Sequence, residues 1–403
     1  MAPSETPAPQ TGRLLRNATF VRLWVAGAMT NAMRWLEILV SSLFVFEASG
    51  SALTVAVVTM MRSLPMLIAG ATVGAIAEAL DRKRLLLMGQ GLNALGACSI
   101  LLLGMSGSLA VWHFALASLA SGMVWATDMA VRRRMIGESA GEQDVARSIA
   151  LDSITNNTTR MLGPILGGIA FQTLGVSGAY AVATAGHLAS IAVAIGLAHR
   201  QEVRELVLRG IPTAIVEAAR FARGKALLRS VLITTVIMNA FGFSYTTVLP
   251  AWGEVSFKAS PTTVGLLASA EPFGALIGAF FLVSGQVKMR PALLFLIGST
   301  SFMLLLAAAA SMPLVPLAWI CLALGGLGTA AFGAMQTTLV ILNAPPESRS
   351  RVLGLVTTCI GMGPFGVLLV GALADRFGPV AGLATMGLTG AALMILLRQR
   401  DAR

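Results

Sequence analysis

Four charged side chains sit inside long apolar runs of this sequence: Arg34 and Glu37 in the run 21–46, Arg62 in 52–80, and Glu271 in 260–284. An ionisable group at the centre of a bilayer costs ~2.5–3.5 kcal/mol on insertion scales, so it normally faces a cavity or a partner and marks function. The chemistry open to such groups is proton carriage and anion attraction. Burial disfavours a carboxylate and a neighbouring Arg favours it, so a ligand that disturbs the pair can drive proton uptake or release. Glu37, between Arg34 and Arg62, suits a switched ion pair, whereas Glu271, followed by Pro272, has no basic residue in its own run. Either carboxylate is a candidate proton carrier, with Arg34 and Arg62 attracting an anionic or zwitterionic substrate. Asn31, Asn239, Tyr245 and Gln336 are polar candidates around the same space, and Trp35 and Met238 offer adaptable apolar surface. Arg160 stands one turn before Gly163-Pro164 on a polar face with Asp152, Asn156 and Asn157, and structural and substrate roles are both open to it. Asp128 and Arg132, spaced i, i+4, read as a structural pair, and Asp152 as a partner for the same basic helix end.

The elements that position these residues follow from composition. The 403 residues are 56% hydrophobic and only 12% charged, about half the charge of a soluble domain, so a water-soluble globule is excluded. Splitting at charge clusters and Gly/Pro turns gives twelve apolar spans, near 21–46, 52–80, 85–105, 109–135, 147–173, 176–198, 230–254, 260–284, 291–311, 314–341, 350–374 and 379–397. Each can cross about 30 Å of hydrocarbon at about 1.5 Å per residue. With both termini on one side, only Lys258 and Arg376 of the 29 Lys and Arg fall in the opposite loops, and Arg34, Arg62 and Arg160 fall inside spans. The positive-inside rule then makes the basic side cytoplasmic. The net charge of +11 is thereby a rim facing anionic lipid and no sign of nucleic acid.

The expected architecture is an all-α membrane protein with twelve transmembrane helices in two six-helix bundles, related by a pseudo-two-fold axis along the membrane normal. One constant shift carries Gly70-x-x-x-Gly74 onto Gly274-x-x-x-Gly278 and Arg147-x-x-x-Leu151 onto Arg351-x-x-x-Leu355, as duplicated bundles would. The divisions are a disordered N-terminus 1–18, bundles 19–198 and 230–397, a cytoplasmic linker 199–229, and a tail 398–403. Within the linker, Ile211, Ile215, Ala218, Ala219 and Phe221 interleave with Glu217, Arg220 and Arg223, which suits an amphipathic helix on the inner leaflet or a plain solvated one.

On these motifs the chain resembles the major facilitator superfamily along its whole length. The family's loop after span two carries an acidic-basic pattern, matched here by Gly74-Ala75-Ile76-Ala77-Glu78-Ala79-Leu80-Asp81-Arg82-Lys83-Arg84, with Glu78 where Asp is usual and Ala79 where Arg is usual. Gly163-Pro164-Ile165-Leu166-Gly167-Gly168 is similar to the core of the motif associated with the superfamily's antiporters. The Arg usual on span four is missing, since the stretch reads Ser118-Leu119-Ala120-Ser121-Gly122. Details such as Arg13-Leu14-Leu15-Arg16-Asn17 resemble the branch of enterobactin-exporter and macrolide-efflux-type carriers. The resemblance implies proton-coupled efflux of a sizeable organic molecule by alternating access, from the bacterial inner membrane, with both termini cytoplasmic. It also gives Glu78, Asp81 and Arg82 a gating role beside Gly163 and Pro164.

Three scattered histidines, His113 and His187 near span ends and His199 in a basic loop, make no metal site, and Cys98, Cys321 and Cys359 make no CxxC pair. No phosphate loop, HExxH or GxSxG motif supports a pump driven by ATP or an enzyme. No cofactor is expected beyond a proton gradient, and the partners expected are a small molecule and lipid, with the protein monomeric. A proton-coupled importer, a lysolipid flippase and a transport-dead sensor remain the competing readings.

Overall fold

Apolar runs of Leu, Ala, Val and Met favour helix, and inside a bilayer a helix satisfies its own backbone. The computed structural model describes residues 14–141, 144–197 and 219–401, and among them every regular element is helical. The side chains of 69–79, 129–130, 133, 146, 346–347, 350 and 398–401 lie outside that description. The helices run in the order α1 Ala18–Ser49, α2 Ala52–Ala79, α3 Arg82–Met105, α4 Val111–Ala140 and α5 Val145–Ile195. After the linker come α6 Ala226–Ile237, α7 Leu249–Phe257, α8 Pro261–Val283, α9 Pro291–Ala310, α10 Val315–Asn343, α11 Pro346–Ile360, α12 Gly363–Phe377 and α13 Pro379–Asp401.

The sequence explains several ends and breaks. Asn17 caps α1 by accepting from the backbone of Thr19 and Phe20 at 3.0 and 3.2 Å, and Gly50 ends it at φ 64°. A 51-residue α5 would measure about 77 Å, too long for one crossing, and it turns at Gly175, whose φ of 67° is open to glycine. Between α6 and α7 lie a π segment, Met238–Gly242, and a 3₁₀ segment, Phe243–Val248, so the run 230–254 is continuous but not uniformly α-helical. Such breaks commonly mark functional sites.

Among the described residues eight segments are long and apolar enough to cross a membrane by length and composition, α3, α8, α9 and α10 among them. Buried charges lower the hydropathy of α1 and α4, Ala52–Ile68 of α2 is a shorter apolar helix whose continuation lies outside the described side chains, and the α5 segment contains the turn at Gly175. Large apolar side chains face outward, with Val283, Ile68 and Met105 mostly exposed, as lipid-facing surfaces require. Of the expected linker helix, residues 219–223 are helical, and Ile211, Ile215, Glu217 and Ala218 lie outside the described residues, as does His199.

Helix α1 packs chiefly on α5, α2 on α4, α9 on α10 and α13, and α8 on α10. Two seams join the N-terminal part of the chain to the C-terminal part: α5 against α8, and α2 against α12. Their small residues allow close backbone approach. A Cβ on Gly265 would meet the Pro164 carbonyl, and one on Gly371 would meet Ala56 and the Ala52 carbonyl.

Candidate functional site

Between the two seams lies a cavity of about 180 Å³. Helix α1 lines it with Trp35 and Ile38, α2 with Thr59, Arg62 and Ser63, and α4 with Ser118 and Trp125. The broken run after α6 contributes Asn239, Phe243 and Ser244, and α12 contributes Gly363 and Pro364. A smaller adjoining pocket is lined by Trp35, Arg160, Pro164 and Tyr245. A larger groove of about 470 Å³ between α3 and α4 shares no lining residue with the central cavity, and Asp128, its charged side chain, is committed to arginines.

The main polar contact across the α5–α8 seam is an ion pair between Arg160 and Glu271. Glu271 is fully buried and also accepts from Thr329 Oγ1 of α10 at 2.5 Å. The Arg160 guanidinium lies 5.5 Å from the Trp35 ring and 5.7 Å from that of Phe243, where cation–π attraction adds to the pair. Gly163, one turn after Arg160 and packed on α1, leaves no room for a Cβ against Trp35. Glu271 has no base in its own span, and the structure supplies one from α5. Protonating it would release Arg160 from its charge partner, and the two sides of the seam would be held less tightly.

A second cluster is structural. Arg132 meets Asp128 at 3.2 Å and Asp152 at 2.5 Å, and Arg34 lies 3.8 Å from Asp128 while donating to Asn31 at 2.8 Å. All four charged groups are buried. Removing one partner from such a set leaves an uncompensated buried charge at a cost of about 3–5 kcal/mol. Asp152→Asn is therefore expected to lower thermal stability in detergent strongly, and an unchanged unfolding temperature would contradict this role.

The expected Glu37 pairing with Arg34 and Arg62 is corrected. Glu37 instead meets His187 Nε2 at 3.2 Å, and neither arginine forms an ion pair with it. The physical reason is direction. Arg34, three residues earlier on α1, turns to α4, while Glu37 turns to α5. His187, expected near a span end, is fully buried. His113 accepts from the Ala110 backbone at 2.9 Å at the start of α4.

Arg62 is held by hydroxyls: Nη1 donates to Ser121 at 3.0 Å and Nη2 to Ser118 at 3.5 Å. These are the residues of span four where the usual Arg is missing, so a guanidinium from α2 occupies the place instead. Gly122 makes this possible, because any Cβ there would collide with the Arg62 carbonyl oxygen. Gly122→Ala is expected to cost about 1–3 kcal/mol through overpacking, measured as a lower unfolding temperature; a neutral result would show that α2 and α4 can separate freely.

Among the gating candidates, the side chain of Glu78 lies outside the described residues. Asp81 caps α3 by accepting from the Arg84 backbone at 2.9 Å, and Arg82 pairs with Glu138 at 2.6 Å, which also meets Arg134 at 3.0 Å. Partial burial would raise the Glu138 carboxyl, but hydrogen bonds from Arg134 and Arg82 outweigh it and hold the group below its usual range. At the other end of α2, which lies between α1 and α2, Asp375 of α12 accepts from Ser51 Oγ at 2.6 Å and from the backbone of Ala52 and Leu53 at 2.6 and 3.3 Å. A corresponding contact joins α5 to α8, where Gln172 accepts from the Thr262 backbone at 3.3 Å. Both contacts cap a helix start across a seam, and both lie at one end of the molecule.

Trp35, Arg62 and Asn239 thus line the central cavity; Arg160 and Tyr245 line the adjoining pocket, and Glu271 sits behind Arg160. Asn31 and Arg34 are drawn into the cluster on α4. Gln336 is buried away from the cavity, donating to Thr235 at 2.7 Å. Sequence reasoning missed Thr329, Asp375 and the serines that hold Arg62, all small or exposed polar residues without a pattern to mark them. Among the described residues no cluster of His, Cys, Asp and Glu could hold a metal.

Residues 11–400 match the family described as transmembrane secretion effector. The chain is 28% identical over 342 residues to the enterobactin exporter EntS of Citrobacter koseri, covering 80% of this chain and 78% of that one. It is 26% identical over 351 residues to the multidrug efflux pump Tap of Mycolicibacterium fortuitum, covering 83% and 84%. The fold is similar to the crystal structure of the nucleoside transporter NupG, with a TM-score of 0.77 at 12% identity over 95% of this chain and 99% of that one. It is also similar to an inward-facing bacterial homologue of the lysosomal transporter Spinster, with a TM-score of 0.70 at 14% identity over 96% and 95%. The chain belongs to the transmembrane secretion effector family of the major facilitator superfamily, and is a multi-pass membrane transporter of the efflux branch rather than an enzyme.

Proposed function

We propose that the protein is a proton-coupled exporter of a small organic molecule, working by alternating access, with Glu271 as the proton carrier. The observation that carries this reading is the pair between half-buried Arg160 and fully buried Glu271, which bridges the α5–α8 seam beside the cavity. Protonation of Glu271 frees Arg160 and loosens the seam; loss of the proton restores the pair and the closure. Twelve transmembrane helices in two six-helix bundles accommodate this motion, with α5, α8, α2 and α12 sliding at the seams. The Lys and Arg distribution supports cytoplasmic termini, and the bacterial efflux relatives support a bacterial inner membrane. The end clasped by Asp375 and Gln172 is then the outer one, and the conformation described is closed on that side. Relatives named as an enterobactin exporter and a multidrug efflux pump favour outward movement of a sizeable organic cargo.

The test is exchange and gradient-driven flux in proteoliposomes, with a panel of a catecholate siderophore, a macrolide, a lysolipid and a cationic dye. At least one soluble compound is expected to move against its own gradient when a pH difference is imposed. Flux that ignores the pH difference for every transported compound would overturn proton coupling, and movement of the lysolipid alone would favour a flippase.

A further inference from the structure

We propose that the central cavity selects aromatic organic anions, with Arg62 as the anion-binding residue. The inference deepens the export reading by naming its substrate class, and rests on it for physiological meaning only. The argument is one of charge pairing. Arg34 and Arg132 are matched by Asp128 and Asp152, and Arg160 is matched by Glu271. Glu37 meets His187, a partner charged only when protonated. Among the described residues Arg62 alone of the arginines lining the cavity has no carboxylate within ion-pair distance, and its hydrogen-bond partners are two neutral hydroxyls. Glu37 lines the same small space behind it and acts on it through its charge without forming an ion pair.

A buried cation without a bonded counter-charge is costly, and a ligand that supplies the anion recovers much of that cost. Arg62 lines both the central cavity and the small space behind it, so an anion bound beside it would be desolvated and would gain charge-assisted hydrogen bonds. The rest of the lining supplies the second half of the specificity. Trp35, Trp125 and Phe243 give the lining an aromatic surface that suits a ring beside the arginines already against them, Arg160 at Trp35 and Phe243 and Arg34 at Trp125. Asn239 and Ser244 leave room for hydroxyl or carbonyl substituents on it. The expectation that Arg34 shares this task is not kept, because Arg34 is drawn to Asp128 and Asn31.

The cavity is small in this conformation, so a compact probe is appropriate. Purified full-length protein in detergent is titrated calorimetrically with 1-naphthoate and with its neutral counterpart, 1-naphthamide. Wild type is expected to bind the acid at least ~10-fold more tightly than the amide. Arg62→Gln is expected to abolish the preference, Arg62→Lys to retain part of it, and Lys288→Gln, at an exposed loop position, to leave it in place. The lysine variant separates loss of charge from loss of fold, and both Arg62 variants are checked by their unfolding curves. Equal affinity for acid and amide, binding of neither, or a preference that survives Arg62→Gln overturns the proposal. No proton gradient enters this titration, so a site that binds naphthoate through Arg62 in a protein without gradient-driven flux would overturn the export reading and leave the anion site standing.

Discussion

Glu271→Gln is expected to abolish the response of transport to a pH gradient while leaving substrate exchange in place. In the wild type each pH unit supplies about 1.4 kcal/mol per proton, enough to sustain about a tenfold substrate ratio across the membrane for one proton exchanged. The glutamine variant cannot take or release a proton, so the ratio it sustains should fall to about 1. Gln still offers an oxygen to Thr329 and Arg160, and for that reason folding and exchange survive, whereas Glu271→Ala would take away the charge partner of half-buried Arg160 and the acceptor of Thr329 together. Accumulation in proteoliposomes against a fixed pH difference checks this, with counterflow at equal pH as the control. A variant that accumulates substrate as well as the wild type would remove Glu271 from the coupling mechanism.

Asp375→Ala is expected to shift the molecule towards the state open at the clasped end. At the start of α2 the Asp375 carboxylate takes the place of water and accepts three hydrogen bonds, two of them from backbone N–H groups. Loss of a helix cap costs about 0.5–2 kcal/mol, and the carboxylate also meets the positive end of the α2 dipole. Because these contacts exist only when α2 and α12 are together, their loss falls on the closed state alone. A change of about 1–2 kcal/mol moves a two-state equilibrium by about 5–30-fold. Electron–electron distance measurements between labels at the exposed Thr173 and Leu314 report the opening directly. Gln172→Ala, which removes a single neutral acceptor, should produce a smaller shift in the same direction. An unchanged distance distribution in Asp375→Ala would show that small-residue packing at Gly371 closes this end by itself.

The helical membrane architecture was legible because length and hydropathy are local properties of the chain. Arg34, Glu37, Arg62, Arg160 and Glu271 stood out for the same reason, each being a charge in an apolar run. Their partners were not legible. Arg160 and Glu271 are far apart in sequence and meet only because α5 and α8 pack through glycines. Arg34 and Glu37 invited a pairing by their spacing, but each found a closer charged or ring partner on another helix. His187 gave no sign of its depth, since an apolar run does not say which of its faces is inside. Asp375 falls just beyond the expected span 350–374, at an exposed helix end, and its value comes from a helix start contributed by the other part of the chain. The absent arginine of span four was visible as a gap; that Arg62 fills it from α2 depends on Gly122, whose lack of a Cβ has meaning only once the two helices are in contact.

Proton movement itself tests the central claim most directly. Proteoliposomes loaded with a trapped pH-sensitive dye report proton flux when a compound that the protein exchanges is added on one side, without any imposed pH difference. Substrate entering down its own gradient should drive protons outward in the wild type, and the same substrate flux through Glu271→Gln should move none. Proton movement that persists undiminished in Glu271→Gln, or substrate flux through the wild type with no proton movement, would contradict the account.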